Sequence, residues 1–434
     1  MQTTSTPVRA GRITLAIIAA MALAAPLAAQ CPAPASPALG MPADAIRYLS
    51  SDALEGRLAG SPGARCAGDY IARQFRQLGL QPAGDHGTYF QSLPLASTIN
   101  PHAPATSGRN VIARLQGSDP RLKDQVVVLG AHYDHLGRGP FGSLAPDSVG
   151  AIHNGADDNA SGVGALIQVA RDLAAGPPPA RSVVFVAFTG EEFGLVGSSY
   201  YVAHPAAPLD STQAMINMDM VGRLQDKPLI IYGTGTAKEW PGLVEQAAHT
   251  AAITISEIPD GYGPSDQTSF YARDIPVLMF FTNTHEDYHK PTDDFEKIDT
   301  TGVRRVAALV ASVARTVADR PARLTLQLGA GKPAEAQADS RGYGAYLGSV
   351  PDFTPVDYGV RLSGVRDDSP ADKAGIRAGD IIVRFGTMDI KDLYALTDAL
   401  RAHKPGDSVP VTVLREGRKI TVQVTLASRG SGGG

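Results

Sequence analysis

The sequence predicts an α/β fold, with a mixed, mostly parallel central sheet between layers of helices and a small β-rich domain after it. Two observations carry this prediction. Short, almost continuous apolar runs alternate with longer segments whose apolar residues recur at helical spacing. Strands that are apolar on both faces belong to sheets that helices cover on both sides. Beyond residue 340 the pattern changes to short strands and glycine-rich turns.

The clearest predicted strands are 125–130 (QVVVLG) and 181–188 (RSVVFVAF), which are apolar along almost their whole length. Between them, 161–175 has apolar residues at the spacing of a buried helix face. Further strands are predicted at 214–218, 229–232 and 276–281, and further helices at 65–78, 237–252 and 301–318.

The composition is that of a soluble globular protein. The chain has 434 residues, enough for two or three domains, and 43% of them are hydrophobic. Its 39 Lys and Arg residues stand against 43 Asp and Glu residues, a net charge of −4. This balance gives no electrostatic reason to expect a nucleic acid partner.

The N-terminus is typical of a secretory signal peptide. Arg9 and Arg12 precede an apolar run at 13–25, and small residues follow at 27–29. The run is too short and too rich in alanine for a stable membrane span, although a retained anchor is the alternative. We expect cleavage near Ala29 and a mature protein that is periplasmic or extracellular.

Export also bears on the two cysteines of the chain, Cys31 and Cys66. An oxidising compartment would allow them to form a disulfide. Two free thiols are the alternative, and the sequence does not decide between them.

Five short polar motifs follow predicted strands or lie near their ends, where open α/β sheets place their sites. They supply imidazoles, aspartates and adjacent glutamates, and no thiolate. Such nitrogen and oxygen donors suit Zn²⁺ or similar divalent ions. The motifs are 132–135 (HYDH), 155–162 (GADDNASG), 189–192 (TGEE), 217–220 (NMDM) and 288–290 (YHK).

The adjacent Glu191 and Glu192 fit a site with two metal ions. Two ions about 3.5–4 Å apart can share one carboxylate, activate a water and polarise a carbonyl. One glutamate can then bind metal while its neighbour remains free as a general base. Each motif alone has a structural explanation, such as a polar turn or a helix N-cap, but the five together indicate a metal centre.

In their order, the motifs resemble the bacterial leucyl aminopeptidase-type, cocatalytic di-zinc exopeptidases, a family that includes glutamate carboxypeptidase-like members and glutaminyl cyclases. The resemblance runs from about Ala43 to Ala318 and includes the flanking segment 51–57 (SDALEGR). It implies two zinc ions per chain. One would be held by His132, Asp158 and Asp219, and the other by Glu192, His289 and the shared Asp158.

The resemblance also implies roles for residues that are not ligands. Glu191 is the expected general acid/base, and Asp134 the expected partner that fixes the tautomer of His132. Tyr288 is placed to stabilise an oxyanion, with a structural role as the alternative. A cis peptide bond is expected after Asp158.

Other polar residues near the motifs are not expected to bind metal, because the ligand set is already complete. Asp266 is predicted to be a buried structural acid, with contact to a substrate amine as the alternative. We expect loop positions for three histidines, His135, His153 and His285.

Residues 341–428 resemble a bacterial PDZ domain. The run 369–375 (SPADKAG) followed by 379–382 (GDII) carries this resemblance, and 344–348 (GAYLG) is a candidate carboxylate-binding loop. It implies that a peptide C-terminus could bind there, with a purely structural role as the alternative. The predicted organisation is a signal peptide (1–29), a flexible lead-in (30–42), a di-zinc peptidase domain (43–318), a linker (319–340), a PDZ-like domain (341–428) and a disordered tail (429–434).

Together these features imply a secreted zinc-dependent aminopeptidase that acts on peptides. Glutaminyl cyclase chemistry is one alternative, but the full set of five ligands with Asn159 after Asp158 favours two metals. Carboxypeptidase action is a second alternative, and a non-catalytic peptidase fold that displays a PDZ domain is a third. An inactive fold would have lost a ligand or Glu191, and none is lost.

Overall fold

A computed structural model describes most of the chain. It describes residues 1–2, 31–33, 41–95, 107–139, 142–143, 145, 148, 150–328, 345–351, 356, 358–365, 368–391, 395–396, 399–400 and 402–427. The predicted signal peptide beyond residue 2, most of the lead-in and the tail lie outside these residues. Within the described part, no helix combines the length and the apolar character needed to cross a membrane.

One mixed sheet organises the first domain. Its strands are β1 (Gln81–Pro82), β2 (Phe90–Pro94), β3 (Ser107–Leu115), β4 (Val126–His132), β5 (Ser182–Phe188), β6 (Thr212–Met218), β7 (Leu229–Tyr232), β8 (Ile255–Ile258) and β9 (Val277–Phe281). Among the described residues the strand order is β1-β3-β5-β4-β6-β9-β7-β8, with β2 paired to β3. The central strands β5, β4, β6 and β9 are parallel to one another. Their carboxyl ends therefore meet at one edge of the sheet.

The central strands are those that the sequence predicts most clearly. Every residue of β4, β5, β6 and β9 is buried. Alternate side chains of β4 enter different cores: Val127 and Leu129 pack into the larger one, and Val126 and Val128 into the smaller one on the other face. Helices contribute to both cores. The predicted α/β fold with a helix-covered mixed sheet is therefore confirmed.

Strand β3 is absent from the sequence prediction, although it is the longest strand of the sheet. Its apolar pattern is interrupted by Arg109, Asn110 and Arg114, whose side chains find partners only in the folded chain. It pairs antiparallel with β5. Four of the eight strand pairings in the described residues are antiparallel, so parallel pairing is less dominant than predicted.

Helices pack on both faces of this sheet. Helix α2 begins at Pro62, three residues before the predicted start, because Ser61 caps it by accepting a hydrogen bond from the Ala64 N–H. The helices of the first domain are α1 (Pro42–Leu49), α2 (Pro62–Gln77), α3 (Gly162–Ala175), α4 (Val196–Ala203), α5 (Trp240–Ala251), α6 (Gln267–Tyr271) and α7 (Thr300–Asp319). Both cysteines, Cys31 and Cys66, are disulfide-bonded, which the sequence left open.

The packed part of the first domain extends past the predicted start of the linker at residue 319. The Thr325 N–H and hydroxyl both donate to the Glu239 carboxylate, and the Gln327 N–H donates to the Thr236 carbonyl. Residues up to Gln327 therefore belong with the sheet and its helices. Residues 329–340 of the predicted linker and residues 341–344 of the predicted PDZ-like domain lie outside the described part of the chain.

The C-terminal domain has its own sheet and its own apolar core. In the described residues the strand order is β10-β11-β12-β14-β15, with β13 paired to β12. The predicted helix at 392–402 is described only in part, with helical residues at 395–396 and 399–400. The elements are β10 (Ser349–Pro351), β11 (Val360–Val365), α8 (Pro370–Lys373), β12 (Ile381–Phe385), β13 (Met388–Asp389), β14 (Ser408–Arg415) and β15 (Arg418–Thr425).

Candidate metal centre

The predicted ligands converge at the carboxyl end of the parallel strands. His132 is the last residue of β4, and Asp219 directly follows β6. The Asp219 N–H donates to the Phe280 carbonyl of the neighbouring strand β9, which fixes the strand end (3.1 Å). Glu191 and Glu192 lie in the loop after β5.

His132, Asp158 and Asp219 form one group of metal-binding atoms. The Nε2 atom of His132 lies 3.3 Å from Oδ1 of Asp158 and 3.3 Å from Oδ1 of Asp219. All three side chains are buried. Their ligand atoms lie within 4.8 Å of one another, close enough for one ion. The structure thus brings together the first predicted ligand set.

Glu192, His289 and Asp158 form a second group. The Nε2 atom of His289 lies 3.1 Å from Oδ2 of Asp158 and 3.3 Å from Oε2 of Glu192. The Nδ1 atom of His289 is 2.9 Å from the carbonyl oxygen of Gly142, which orients the ring. The two oxygens of Asp158 therefore face different histidines, as a ligand shared by two ions requires.

His135 also belongs to this centre, although the sequence prediction places it among the loop residues. It is fully buried, with Nδ1 2.7 Å from Oε1 of Glu192 and 3.9 Å from Oδ2 of Asp158. His135, Asp158 and Glu192 are close enough to hold an ion, and the Nε2 atom of His135 has no hydrogen-bond partner. The available signal was its position three residues after His132.

The backbone around Asp158 is held by two buried side chains. Asp293 accepts the N–H groups of Asp157 and Asp158 through Oδ2, at 2.9 and 3.1 Å. Asn159 accepts the N–H of Met220 and donates to the carbonyl of Met218, so the turn is joined to the end of β6. The Asp158–Asn159 peptide bond is cis, as the resemblance implied.

Asp134 has a different part in the site from the predicted one. The Nδ1 atom of His132 lies 3.2 Å from the backbone carbonyl oxygen of Asp134, and 3.9 Å from its carboxylate. The main chain therefore fixes the tautomer of His132. The carboxylate of Asp134 instead accepts the N–H of Glu191 through Oδ1 (3.2 Å), and burial raises its pKa to about 6.

Glu191 lies beside both groups and belongs to neither. Its Oε2 atom is 4.0 Å from Nε2 of His132. Burial raises its pKa well above the usual range, and the charges of Glu192, Asp219 and Asp266 add to the effect. Without bound metal, this environment therefore favours the protonated form of Glu191.

The two acidic residues of the second group remain ionised. Burial favours the neutral form of Glu192, but His289 and the hydrogen bond with His135 outweigh it and lower the pKa to about 2. Hydrogen bonds with His132 and His289 likewise outweigh burial at Asp158 and hold its pKa well below the usual range. Metal ligands must be deprotonated, so these pKa values suit the predicted ligands.

The remaining predicted polar residues surround the centre. The ring of Tyr288 stacks on that of His289, with centroids 3.9 Å apart. His285 Nε2 lies 3.1 Å from Oδ2 of Asp157, whereas His153 Nε2 lies 2.8 Å from the hydroxyl of Ser143, outside both groups. Asp266 is fully buried, and burial, with repulsion from nearby carboxylates, raises its pKa to about 7.

The sequence matches known families in both domains. Residues 110–314 match peptidase family M28, and residues 347–426 match the PDZ domain. The first domain is therefore similar to peptidase family M28 over residues 110–314.

Two curated relatives share this region. The chain is 31% identical over 196 residues to "Aminopeptidase YwaD" of Bacillus subtilis, covering 43% of this chain and 39% of that protein. It is 31% identical over 182 residues to "probable leucine aminopeptidase 2" of Aspergillus oryzae, covering 40% of this chain and 33% of that protein. The chain therefore spans less than half the length of either relative.

Solved structures share the fold of the first domain. A zinc-dependent exopeptidase from Parabacteroides distasonis is 20% identical with a TM-score of 0.52, over 63% of this chain and 97% of that chain. A glutaminyl cyclase from Porphyromonas gingivalis is 21% identical with a TM-score of 0.51, over 63% and 96%. At this identity the likeness establishes the fold alone.

The residues of the candidate metal centre fit zinc. Five of the buried or nearly buried side chains at the strand ends are carboxylates, and burying so many negative charges without cations is unfavourable. Oδ1 of Asp219 accepts no hydrogen bond from the described residues. Nε2 of His132 lies 3.3 Å from it, and these two atoms could bind the same ion. Nitrogen and oxygen donors without thiolate match a zinc site of this kind. The five carboxylates are those of Asp134, Asp158, Glu191, Glu192 and Asp219.

Without zinc, the chain is expected to lose stability as the pH rises from about 4 through about 7, the interval over which the two buried aspartates ionise, and to lose more above about 6.5 as the two buried histidines deprotonate. The folded-state pKa is raised to about 6 for Asp134 and about 7 for Asp266, and well above 6.5 for His132 and His289. A group whose pKa is raised in the folded state stabilises the fold fully below its unfolded-state pKa. This stabilisation is lost as the pH rises through the folded-state pKa.

Zinc should reverse this trend, because the ligands bind it only when deprotonated. Urea unfolding at several pH values, with chelator and with zinc, measures both cases. A zinc-free chain whose free energy of unfolding stays constant across this range, or a zinc-loaded chain that loses the same amount, would contradict the prediction.

Proposed function

We propose that the chain is a zinc-dependent aminopeptidase that removes N-terminal residues from peptides. The proposal rests on one observation: some acidic residues of the site belong to groups of metal-binding atoms, and one acidic residue beside them does not. Two donor groups share Asp158, which favours two zinc ions. Glu191 lies 4.0 Å from His132 of the first group and directly precedes Glu192 of the second, and it belongs to neither. One carboxylate beside the metal ligands is thus available for proton transfer.

Two bound zinc ions would supply an activated water and a polarised carbonyl. The ligands would be His132 and Asp219 for one ion and Glu192 and His289 for the other, with Asp158 shared. His135 hydrogen-bonds Glu192 and would hold that ligand in place.

Glu191 is proposed as the general base and acid. Its raised pKa suits a group that takes a proton from the attacking water and returns it to the leaving amine. The hydrogen bond from its N–H to the Asp134 carboxylate fixes the loop that carries it. Tyr288, which stacks on His289, is proposed to donate a hydrogen bond from its hydroxyl to the oxyanion that forms at the scissile carbonyl.

The charge of the site favours a substrate amine over a substrate carboxylate. The cations that face its carboxylates are already engaged: Arg57 donates to backbone carbonyls, and Arg223 contacts Asp287 and Asp293. Asp266, whose pKa is raised to about 7, adds a buried carboxyl group near His132 that is partly ionised at neutral pH. A positively charged N-terminus is the substrate end that this surplus of acids would attract. The names of the curated relatives, both aminopeptidases, agree with this reading.

An apolar cluster beside the site indicates which N-terminal residues are preferred. Met220, Met279 and Phe281 form its buried part, and Tyr232 and Tyr288 pack against it. Met220 directly follows the proposed ligand Asp219, and Tyr288 directly precedes His289, so the cluster adjoins both ends of the site. We infer a preference for large apolar side chains at the N-terminus of the substrate.

The PDZ domain is proposed to bind the C-terminus of a peptide. Strand β10 lies at the end of the strand order and pairs only with β11 in the described residues. The candidate carboxylate-binding loop 344–348 leads directly into it. A peptide can add to such an edge while backbone N–H groups bind its carboxylate. We also propose the predicted domain organisation, with export by the N-terminal signal and a periplasmic or extracellular mature chain.

The Glu191→Gln variant is expected to keep about two zinc ions per chain and to lose about 10²–10⁴-fold in kcat on leucyl-anilide, because only proton transfer is removed. Glu192→Gln, one residue away, is the matched comparison and should lose bound zinc. Zinc content and initial rates measure both. N-blocked anilides should not be cleaved. A zinc-loaded wild-type chain that cleaves no free-amine substrate would refute the aminopeptidase proposal, and cyclisation of N-terminal glutamine would identify cyclase chemistry instead.

Leucyl- and phenylalanyl-anilides should be cleaved with a kcat/KM about tenfold or more above that of glutamyl-anilide, because the apolar cluster cannot solvate a charge. Met220→Lys should reduce this ratio. An equal or higher kcat/KM for glutamyl-anilide in the wild-type chain would contradict the inferred preference.

A fluorescent peptide with a free C-terminal carboxylate should bind the Glu191→Gln chain more tightly than the same peptide with a C-terminal amide, because the amide removes the charge that the loop would bind. Fluorescence anisotropy measures the difference. Equal affinity of the two peptides would count against carboxylate recognition.

A further inference from the structure

Arg57 is a fully buried arginine whose side chain contacts main-chain carbonyls only. Its Nε atom donates to the Tyr133 carbonyl (2.8 Å), and its Nη2 atom donates to the Gly155 carbonyl (3.0 Å). Its Nη1 atom donates to the carbonyls of Asn154 (2.6 Å) and Leu49. Among the described residues, no carboxylate lies within ion-pairing distance of the guanidinium, and all four of its hydrogen-bond acceptors are backbone oxygens.

The four carbonyls belong to three segments of the chain, at residues 49, 133 and 154–155. Tyr133 directly follows the proposed ligand His132. Asn154 and Gly155 directly precede the turn 156–161 that carries Asp158. Leu49 ends helix α1. One rigid, planar group therefore joins the two segments that carry the proposed ligands His132 and Asp158.

The backbone around Arg57 has an unusual conformation. Glu55, Gly56 and Arg57 all have positive φ, at 51°, 69° and 47°. A Cβ atom at Gly56 would lie 2.5 Å from the His153 carbonyl oxygen, so this close approach requires glycine. The Arg57 carbonyl accepts the N–H of His135, which ties the same residue to the metal centre a second time.

The positive charge of Arg57 also interacts with the carboxylates in and around the metal centre. Burial lowers its pKa to about 10, while the charges of Asp158, Asp134, Asp293 and Glu192 act in the opposite direction. The guanidinium is therefore charged at neutral pH. It is a fixed cation beside the buried carboxylates.

We propose that Arg57 is a positioning residue for the metal centre: its guanidinium holds the segments 132–135 and 154–158 at the separation at which His132 and Asp158 bind one ion. This inference rests on the proposed zinc site. It assigns Arg57 no contact with substrate or metal, and its effect passes through the two ligands.

A second buried arginine in the same domain provides a matched control. Arg181 is 1% exposed and also donates to main-chain carbonyls, those of Val317, Ala318 and Arg320. It directly precedes β5 and so lies at the opposite end of the parallel strands from the proposed ligands. Removing either guanidinium fork leaves buried carbonyls unpaired, but only Arg57 contacts the ligand segments.

The experiment compares Arg57→Lys and Arg181→Lys with the wild-type full chain. Zinc affinity is measured by competition with a chelating dye, kcat and KM with leucyl-anilide, and stability of the zinc-free forms by urea unfolding. Lysine keeps the charge and loses the fork. We expect Arg57→Lys to bind zinc about 10–100-fold more weakly and to lower kcat at saturating zinc more than it changes KM. We expect Arg181→Lys to lower stability and leave zinc affinity and kcat unchanged.

Zinc affinity and kcat of Arg57→Lys equal to wild type would overturn the inference, and so would equal losses in Arg181→Lys, since the effect would then be one of general stability. If Arg57→Lys does not accumulate as folded protein, Arg57→Gln, which keeps an N–H donor without charge, is tested with the same expectation. A wild-type chain that binds no zinc would refute the proposed function and this inference with it. A wild-type chain that binds zinc beside an unaffected Arg57→Lys would refute this inference alone.

Discussion

The position of Asp158 between His132, at the end of β4, and His289, in a loop, is the constraint on which the rest of the site depends. Its Oδ1 faces His132 and its Oδ2 faces His289, so the position of one carboxylate sets the distance between the two donor groups. An error in the placement of Asp158 would disturb both groups at once. The surroundings of this residue are accordingly dense in hydrogen bonds: Asp293 holds its N–H, Asn159 ties the turn to β6, and Arg57 holds the two residues before the turn.

The parallel centre of the sheet provides the frame for this arrangement. Strands β4 and β6 are neighbours, and their carboxyl ends deliver His132 and Asp219 to one place without help from long loops. The register of the ladder pairs His132 with Phe188 of β5, so the loop that follows β5 leaves the sheet beside the histidine. Glu191 and Glu192 lie in this loop. The antiparallel strands at the sides of the sheet widen the sheet and its cores but carry none of the proposed ligands.

Much of this site could be predicted from the sequence because the ligands are encoded by type, order and place at strand ends. His132, Asp158, Glu192, Asp219 and His289 lie as close together as the resemblance implied, although the identity of the ligands remains a prediction. His135 was not predicted to join the metal centre, because the sequence does not show which way a histidine side chain in a loop points. Its orientation depends on how the loop after β4 pairs with residues 57 and 58. Strand β3 was missed because its polar residues are satisfied by partners distant in sequence. Arg57 could not be found at all, since arginine is most often exposed and nothing in 51–57 predicts three successive residues of positive φ.

The two hydrogen bonds of Asp134 have an evolutionary consequence. The ring of His132 is oriented by a main-chain oxygen that every amino acid possesses, so sequence drift at position 134 would leave the histidine's tautomer intact. The anchoring of Glu191 depends instead on the side chain, and only residues with a suitably placed acceptor could replace it. Within this fold, metal binding would therefore tolerate change at position 134 that proton transfer would not, and a lineage could lose hydrolysis there while retaining its zinc.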